Sequence, residues 1–161
     1  MDSRTIFVVG ILVILLNCAA TAPVAMADTD ACTLVTQAQL SAALGVPMDA
    51  GKHTTPTYVK TCTWVPTGGA TKSLKFVTLN LESANGFEGG KSLVTASKDV
   101  VVTPASGIGD DAYYAVFGGK IVNLMVKKGN VSFKLAIYGS SDTDKAMAME
   151  KTIAQGVVSK L

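Results

Sequence analysis

Three consecutive runs in the C-terminal half constrain this chain more than any other feature. Ala112 to Phe117 is separated by Gly118-Gly119 from Ile121 to Lys127, and Lys128-Gly129-Asn130 separates that run from Val131 to Tyr138. The runs are rich in β-branched and aromatic residues, and each break carries the glycine or asparagine that a tight turn accepts at little steric cost. Strands joined by such short turns lie antiparallel, because a parallel pair needs a crossover of a dozen or more residues. In the last run Val131, Phe133, Leu135 and Ile137 face one side, and Ser132, Lys134 and Ala136 the other. The apolar side calls for a covering layer.

Helices supply it. Thr36-Gln37-Ala38-Gln39 fits a capping box, Val35 and Leu40 are spaced as its hydrophobic staple, and Gly45 with Pro47 provides the stop. The expected helix spans Gln37 to Leu44 and buries Leu40, Ala43 and Leu44. Ser141 or Asp142 can cap a last helix in which Ala146, Met149, Ile153, Val157 and Leu161 recur at helical spacing. A third helix fits Phe87 to Ser97, weakened in its first turn by Gly89-Gly90. Further strands are predicted at Tyr58 to Val65 and at Leu74 to Glu82, where Val77, Leu79 and Leu81 alternate with polar residues, and a short buried one at Val100 to Val102. The order predicts an α+β domain, an antiparallel sheet of about six to seven strands with N-terminal, middle and C-terminal helices packed on it.

Composition divides the chain. Of the first 27 residues 19 are apolar, and the run Ile6 to Leu16 is followed by Ala25-Met26-Ala27. A charged start, an apolar stretch and an Ala-x-Ala site predict a secretory signal peptide over residues 1–27, cut between Ala27 and Asp28, and a single domain over 28–161. The apolar run is well short of the roughly 20 residues that span a bilayer. A lipidated Cys18 is the competing reading, opposed by Asn17 where lipidation signals carry a small residue. The expected location is secreted or periplasmic, with membrane contact only if the signal stays uncleaved or Cys18 is lipidated.

Export leaves two cysteines, Cys32 and Cys62, in an oxidising compartment, so a disulfide between them is expected. It should stabilise the fold by about 3 to 4 kcal/mol. The pair lacks the close Cys-x-x-Cys spacing of redox thiols. Trp64 shares a strand face with Cys62 and is expected to pack beside the bridge.

Charge narrows the partners. Arg4 is the only arginine, so residues 28–161 hold 13 lysines, scattered, and 11 acidic residues. They lack the planar fork suited to bidentate phosphate or carboxylate recognition, and a net charge of +2 gives no nucleic-acid footprint. Gly107-Ile108-Gly109-Asp110-Asp111-Ala112 matches the letters of a dinucleotide fingerprint, but a strand follows it where a helix is required. Gly90-Lys91-Ser92 resembles the end of a P-loop whose first glycine is missing, since Asn85 stands there. His53, the only histidine, falls in a polar stretch and is expected to be solvated. Asp110 with Asp111, or Glu82 with Glu88, could pair for acid–base work, yet neighbouring strand residues point apart. No His, Cys and acidic cluster has metal-ligand spacing, and no cofactor or metal is expected. Asn130-Val131-Ser132 is a glycosylation triplet that reads first as turn chemistry.

Ala31-Cys32-Thr33-Leu34-Val35-Thr36, Leu44-Gly45, Cys62-Thr63-Trp64 and Gly107 to Tyr113 together resemble small exported bacterial domains of unknown function, including lipoprotein families. The resemblance implies a PsbP-like α/β sandwich, a bridge from Cys32 to Cys62 and no established activity. The expected role is a non-catalytic exported binding or accessory module for an unknown protein or small-molecule ligand, recognised through Tyr58, Tyr113 or Tyr114. The alternatives are an envelope component assembling through a sheet edge, and a hydrolase using Asp110, Asp111 or His53.

Overall fold

The computed structural model describes residues 29–161. The expected signal segment, its Ala27/Asp28 cleavage point and Cys18 lie outside the described residues. The chain runs through α1 (Ala31–Leu34), α2 (Gln37–Leu44), β1 (Lys52–His53), β2 (Thr61–Trp64), β3 (Phe76–Ser83) and α3 (Ala84–Ala96). It continues through β4 (Val100–Pro104), β5 (Asp111–Phe117), β6 (Ile121–Lys128), β7 (Val131–Tyr138) and α4 (Thr143–Val158). The seven strands form one antiparallel sheet in the order β1-β2-β3-β7-β6-β5-β4. It is an α+β fold of the expected kind. No helix among the described residues is long and apolar enough to cross a membrane.

Local chemistry accounts for the helix ends. The Thr36 hydroxyl accepts from the Gln39 amide, and the Gln39 side chain accepts from the Thr36 amide, which closes the capping box. Gly45 ends α2 at φ 70°, a conformation costly to any residue with a Cβ. Asp142 caps α4 through the Lys145 amide. Ser83 caps α3 through the Gly86 amide, so this helix begins at Ala84, three residues before its expected start.

Helices cover both faces of the sheet. On one face Val77, Leu79 and Leu81 of β3, Val122, Leu124 and Val126 of β6, and Phe133, Leu135 and Ile137 of β7 pack under α1 and α4, with α2 lying against α4. Leu40 is fully buried there, while Ala43 and Leu44 are only partly covered. The α4 stripe seats Ala146, Ile153 and Val157 as expected, and adds Ala154 and a fully buried Glu150. On the other face α3 sets Phe87 against Tyr113, Ala115 and Met125.

Three strands differ from expectation, β1 among them because Lys52–His53 falls in a polar stretch that reads as loop. The Tyr58 to Val65 run contracts to Thr61–Trp64, because the backbone before it is used elsewhere. The Tyr58 amide donates to Thr55 in a turn, and the Val59 and Lys60 carbonyls accept from Ala31 and Leu81. The short buried strand at Val100 to Val102 is instead an exposed sheet edge, with Val101 64% exposed. Its neighbour β5 lies on one side only, so an apolar run that reads as interior ends at the border.

Gly89 lies within α3, and a Cβ built there meets nothing within 4 Å. Gly89→Ala should therefore raise stability by up to about 1 kcal/mol, the helix-propensity difference between the two residues, as read by urea denaturation.

Candidate functional site

The sulfurs of Cys32 and Cys62 form the expected disulfide, with Cα atoms 5.0 Å apart. Trp64 is 1% exposed and lies beside it. Gly51 roofs the pair, since a Cβ there would overlap the Trp64 indole and come within 2.6 Å of the Cys62 sulfur.

His53 is not the solvated loop residue expected. It sits in β1, and its Nε2 lies 2.8 Å from an Asp30 oxygen that also accepts from the Cys32 amide. Partial burial pushes the Asp30 carboxyl up, but His53, the Cys32 amide and Lys60 outweigh it and hold the group below its ordinary value. Asp30, Cys32 and His53 bring three donor atoms within 4.8 Å of one another, a juxtaposition the 23-residue sequence gap conceals. The Cys32 sulfur is committed to the disulfide, which removes the thiolate a metal or a nucleophilic mechanism would use. The cluster is a clamp tying α1 to the β1 edge.

The carboxylates proposed to work with His53 are not beside it. Asp110 binds the Lys128 ammonium and the Gly129 amide, which together hold its pKa below the ordinary value, the amide foremost. Asp111 pairs with Lys91 at 2.7 Å. Five strand spacings separate β1 from β5, roughly 24 Å at about 4.8 Å each. Glu82 accepts from Asn80, and Glu88 pairs with Lys127, so each of these carboxylates has its own partner. Gly90, Lys91 and Ser92 lie inside α3, and a strand follows Gly109, so neither glycine-rich segment forms a phosphate cradle. In the glycosylation triplet Asn130 is exposed, while the Ser132 hydroxyl is buried and donates to Ser83.

The three tyrosines do not form one exposed surface. Tyr58 is half-exposed in its turn, but Tyr113 and Tyr114 are 1% and 7% exposed and point to opposite faces of β5. Both faces are covered there, so strand alternation buries both rings. Tyr114 donates to the Met147 carbonyl of α4. Tyr113 packs edge-on against Phe87, with the Lys91 ammonium 5.6 Å from its ring centre.

The Tyr113 hydroxyl has no hydrogen-bond partner among the described residues, and the same holds for Asn123 Oδ1. Both residues line one cavity of about 210 Å³ between α3 and the sheet. Val94, Ala115, Phe117 and Met125 form its apolar wall, and Glu82 and Lys134 complete it. Gly90 on α3 opens the approach to Tyr113, because a Cβ there would already stand 3.5 Å from the hydroxyl. Burial, with Glu82, Asp111 and Glu88 adding repulsion, pushes the Tyr113 pKa up to about 12, so the phenol stays a neutral donor at ordinary pH. A cleft of similar size beside Leu44, Leu74 and Met149 differs in kind. Two of its polar side chains are already engaged, Asp142 in capping α4 and Ser140 in bonding to Asp142.

This is an α+β domain with a small, half-apolar cavity under its middle helix. Comparison with family models, curated proteins and solved structures finds no significant match to this chain.

Proposed function

We propose that the protein is an exported, non-catalytic binding module whose site is the cavity between α3 and the sheet. The observation that carries this reading is the Tyr113 hydroxyl, buried, unpartnered among the described residues and lining that cavity. Buried polar groups are nearly always hydrogen-bonded, and leaving one unmet costs about 1–3 kcal/mol. An apolar pocket with a few convergent polar groups is the usual form of a small-molecule site. The signal-like N-terminus supports a secreted or periplasmic location, and the resemblance to exported bacterial domains agrees with it.

Tyr113→Phe tests the reading directly. Removing a hydroxyl that has no partner among the described residues should raise the stability of the free protein by about 1 kcal/mol, measured by urea denaturation. A loss of that size would show that the hydroxyl serves the fold, and the cavity would lose its claim to be a site.

A second reading, assembly through a sheet edge, draws on β4. Its five residues carry no charge, its outer side is unpaired in the sheet, and only Pro104 blunts it. Sedimentation equilibrium of the wild type and of Val101→Lys discriminates the two. A monomer in both cases removes the edge reading.

A further inference from the structure

Resting on the cavity under α3 as a binding site, we infer that its ligand is a neutral molecule about the size of one aromatic ring, with a head group that both donates and accepts hydrogen bonds. Hydroxyl and primary amide are the groups that qualify.

The inventory of unmet groups sets the head group. Tyr113 offers a hydroxyl proton and Asn123 a carbonyl oxygen, and neither has a partner among the described residues. In register, Tyr113 pairs with Met125 and Ala115 with Asn123, so the two polar residues are diagonal neighbours on one face of β5 and β6. Both line the same cavity, so one head group placed between them can meet the two. A hydroxyl or amide there accepts from the phenol and donates to the Asn123 oxygen. A carboxylate only accepts and an ammonium only donates, so each leaves one buried group unmet.

Charge on the walls points the same way. Glu82 and Lys134 are diagonal neighbours across β3 and β7, since Asn80 pairs with Lys134 and Glu82 with Ser132. One anion and one cation side by side largely offset each other, and Asp111 and Glu88, which with Glu82 repel negative charge at the Tyr113 hydroxyl, disfavour an anionic ligand. Size follows from the volume of about 210 Å³. A dry cavity of about 150 Å³ already accepts benzene.

The experiment titrates five one-ring probes of matched shape into the isotope-labelled protein and follows the backbone amides of Gly90 and Asn123 by NMR. The probes are benzyl alcohol, benzamide, toluene, benzoate and benzylammonium. Benzyl alcohol and benzamide should bind about tenfold more tightly than the other three, the discrimination one satisfied polar pair supplies. Tyr113→Phe should weaken benzyl alcohol by a similar factor and leave toluene unchanged. If toluene, benzoate or benzylammonium binds as well as the alcohol, the cavity is a site but the head-group inference is overturned. If no probe moves either amide, the binding reading falls and the inference with it.

Discussion

As pH rises from about 4.5 to about 9, the protein should lose stability steadily, and Glu150→Gln should not. Glu150 is fully buried in α4, one oxygen accepting from the Ile137 amide at 3.0 Å and the other without a partner among the described residues. Burial pushes its pKa up to about 9, against a smaller opposing effect of the Ile137 hydrogen bond. Between the unfolded value of 4.5 and the folded value the native state holds one proton more than the unfolded chain. Stability therefore falls with rising pH in that window, by about 1.4 kcal/mol per unit, and the loss levels off above the folded value. Glutamine keeps the oxygen that accepts from Ile137 and cannot titrate. Urea denaturation across the window should give a sloping line for the wild type and a flatter one for the variant, and parallel lines would show that Glu150 ionises at its ordinary pH.

Replacing Cys32 and Cys62 together by serine should cost about 3 to 4 kcal/mol, the loop-closure contribution of a bridge spanning 30 positions. The same corner offers an independent probe that leaves the sulfurs in place. Gly51→Ala would force a methyl group against the Trp64 indole and the Cys62 sulfur. Over-packing of this kind costs about 1 to 3 kcal/mol. Both variants should lower the denaturation midpoint under oxidising conditions. With a reductant present the wild type should fall toward the serine variant, while Gly51→Ala should remain below its parent. Equal midpoints for wild type and serine variant without reductant would show that the bridge adds no stability.

Sequence patterns carried their information furthest where neighbours along the chain decide the outcome. The capping box at Thr36 is a bond between a side chain and nearby backbone, and Gly45, Gly118-Gly119 and Gly129 take the positive φ that a residue without a Cβ adopts at little cost, so both act locally. Their elements appear within a residue or two of expectation. The pairing of β5, β6 and β7 followed from turn length alone. The β2 strand was read too long because the bonds made by Val59 and Lys60 go to segments distant in sequence. The edge position of β4 was hidden for the same reason, since three valines read alike in the middle of a sheet or at its border.

The candidate site was less legible. Tyr113 and Tyr114 drew notice as aromatic residues, yet their surroundings depend on which helix covers which face. One signal was present: Ala112 to Phe117 shows no polar alternation over six residues, the pattern of a strand covered on both sides. Asn123 had no such mark, being one polar residue in an apolar run. Glu150 was concealed by the helical stripe around it, because periodicity locates a face and does not say how deep each position lies.

The sequence by itself determined the α+β class, the antiparallel meander, the caps of α2 and the pairing of Cys32 with Cys62. These rest on turn length, alternation and residue chemistry that act over a few positions or admit one partner. The tertiary structure alone decided that α3 crosses the second face of the sheet, bringing Tyr113 and Asn123 to one cavity, and that Asp30 meets His53. Such meetings come from packing, in which residues far apart along the chain become neighbours to exclude water from apolar surface. The polar groups carried inside with that surface, the Glu150 carboxyl and the Tyr113 hydroxyl, owe their altered chemistry to burial.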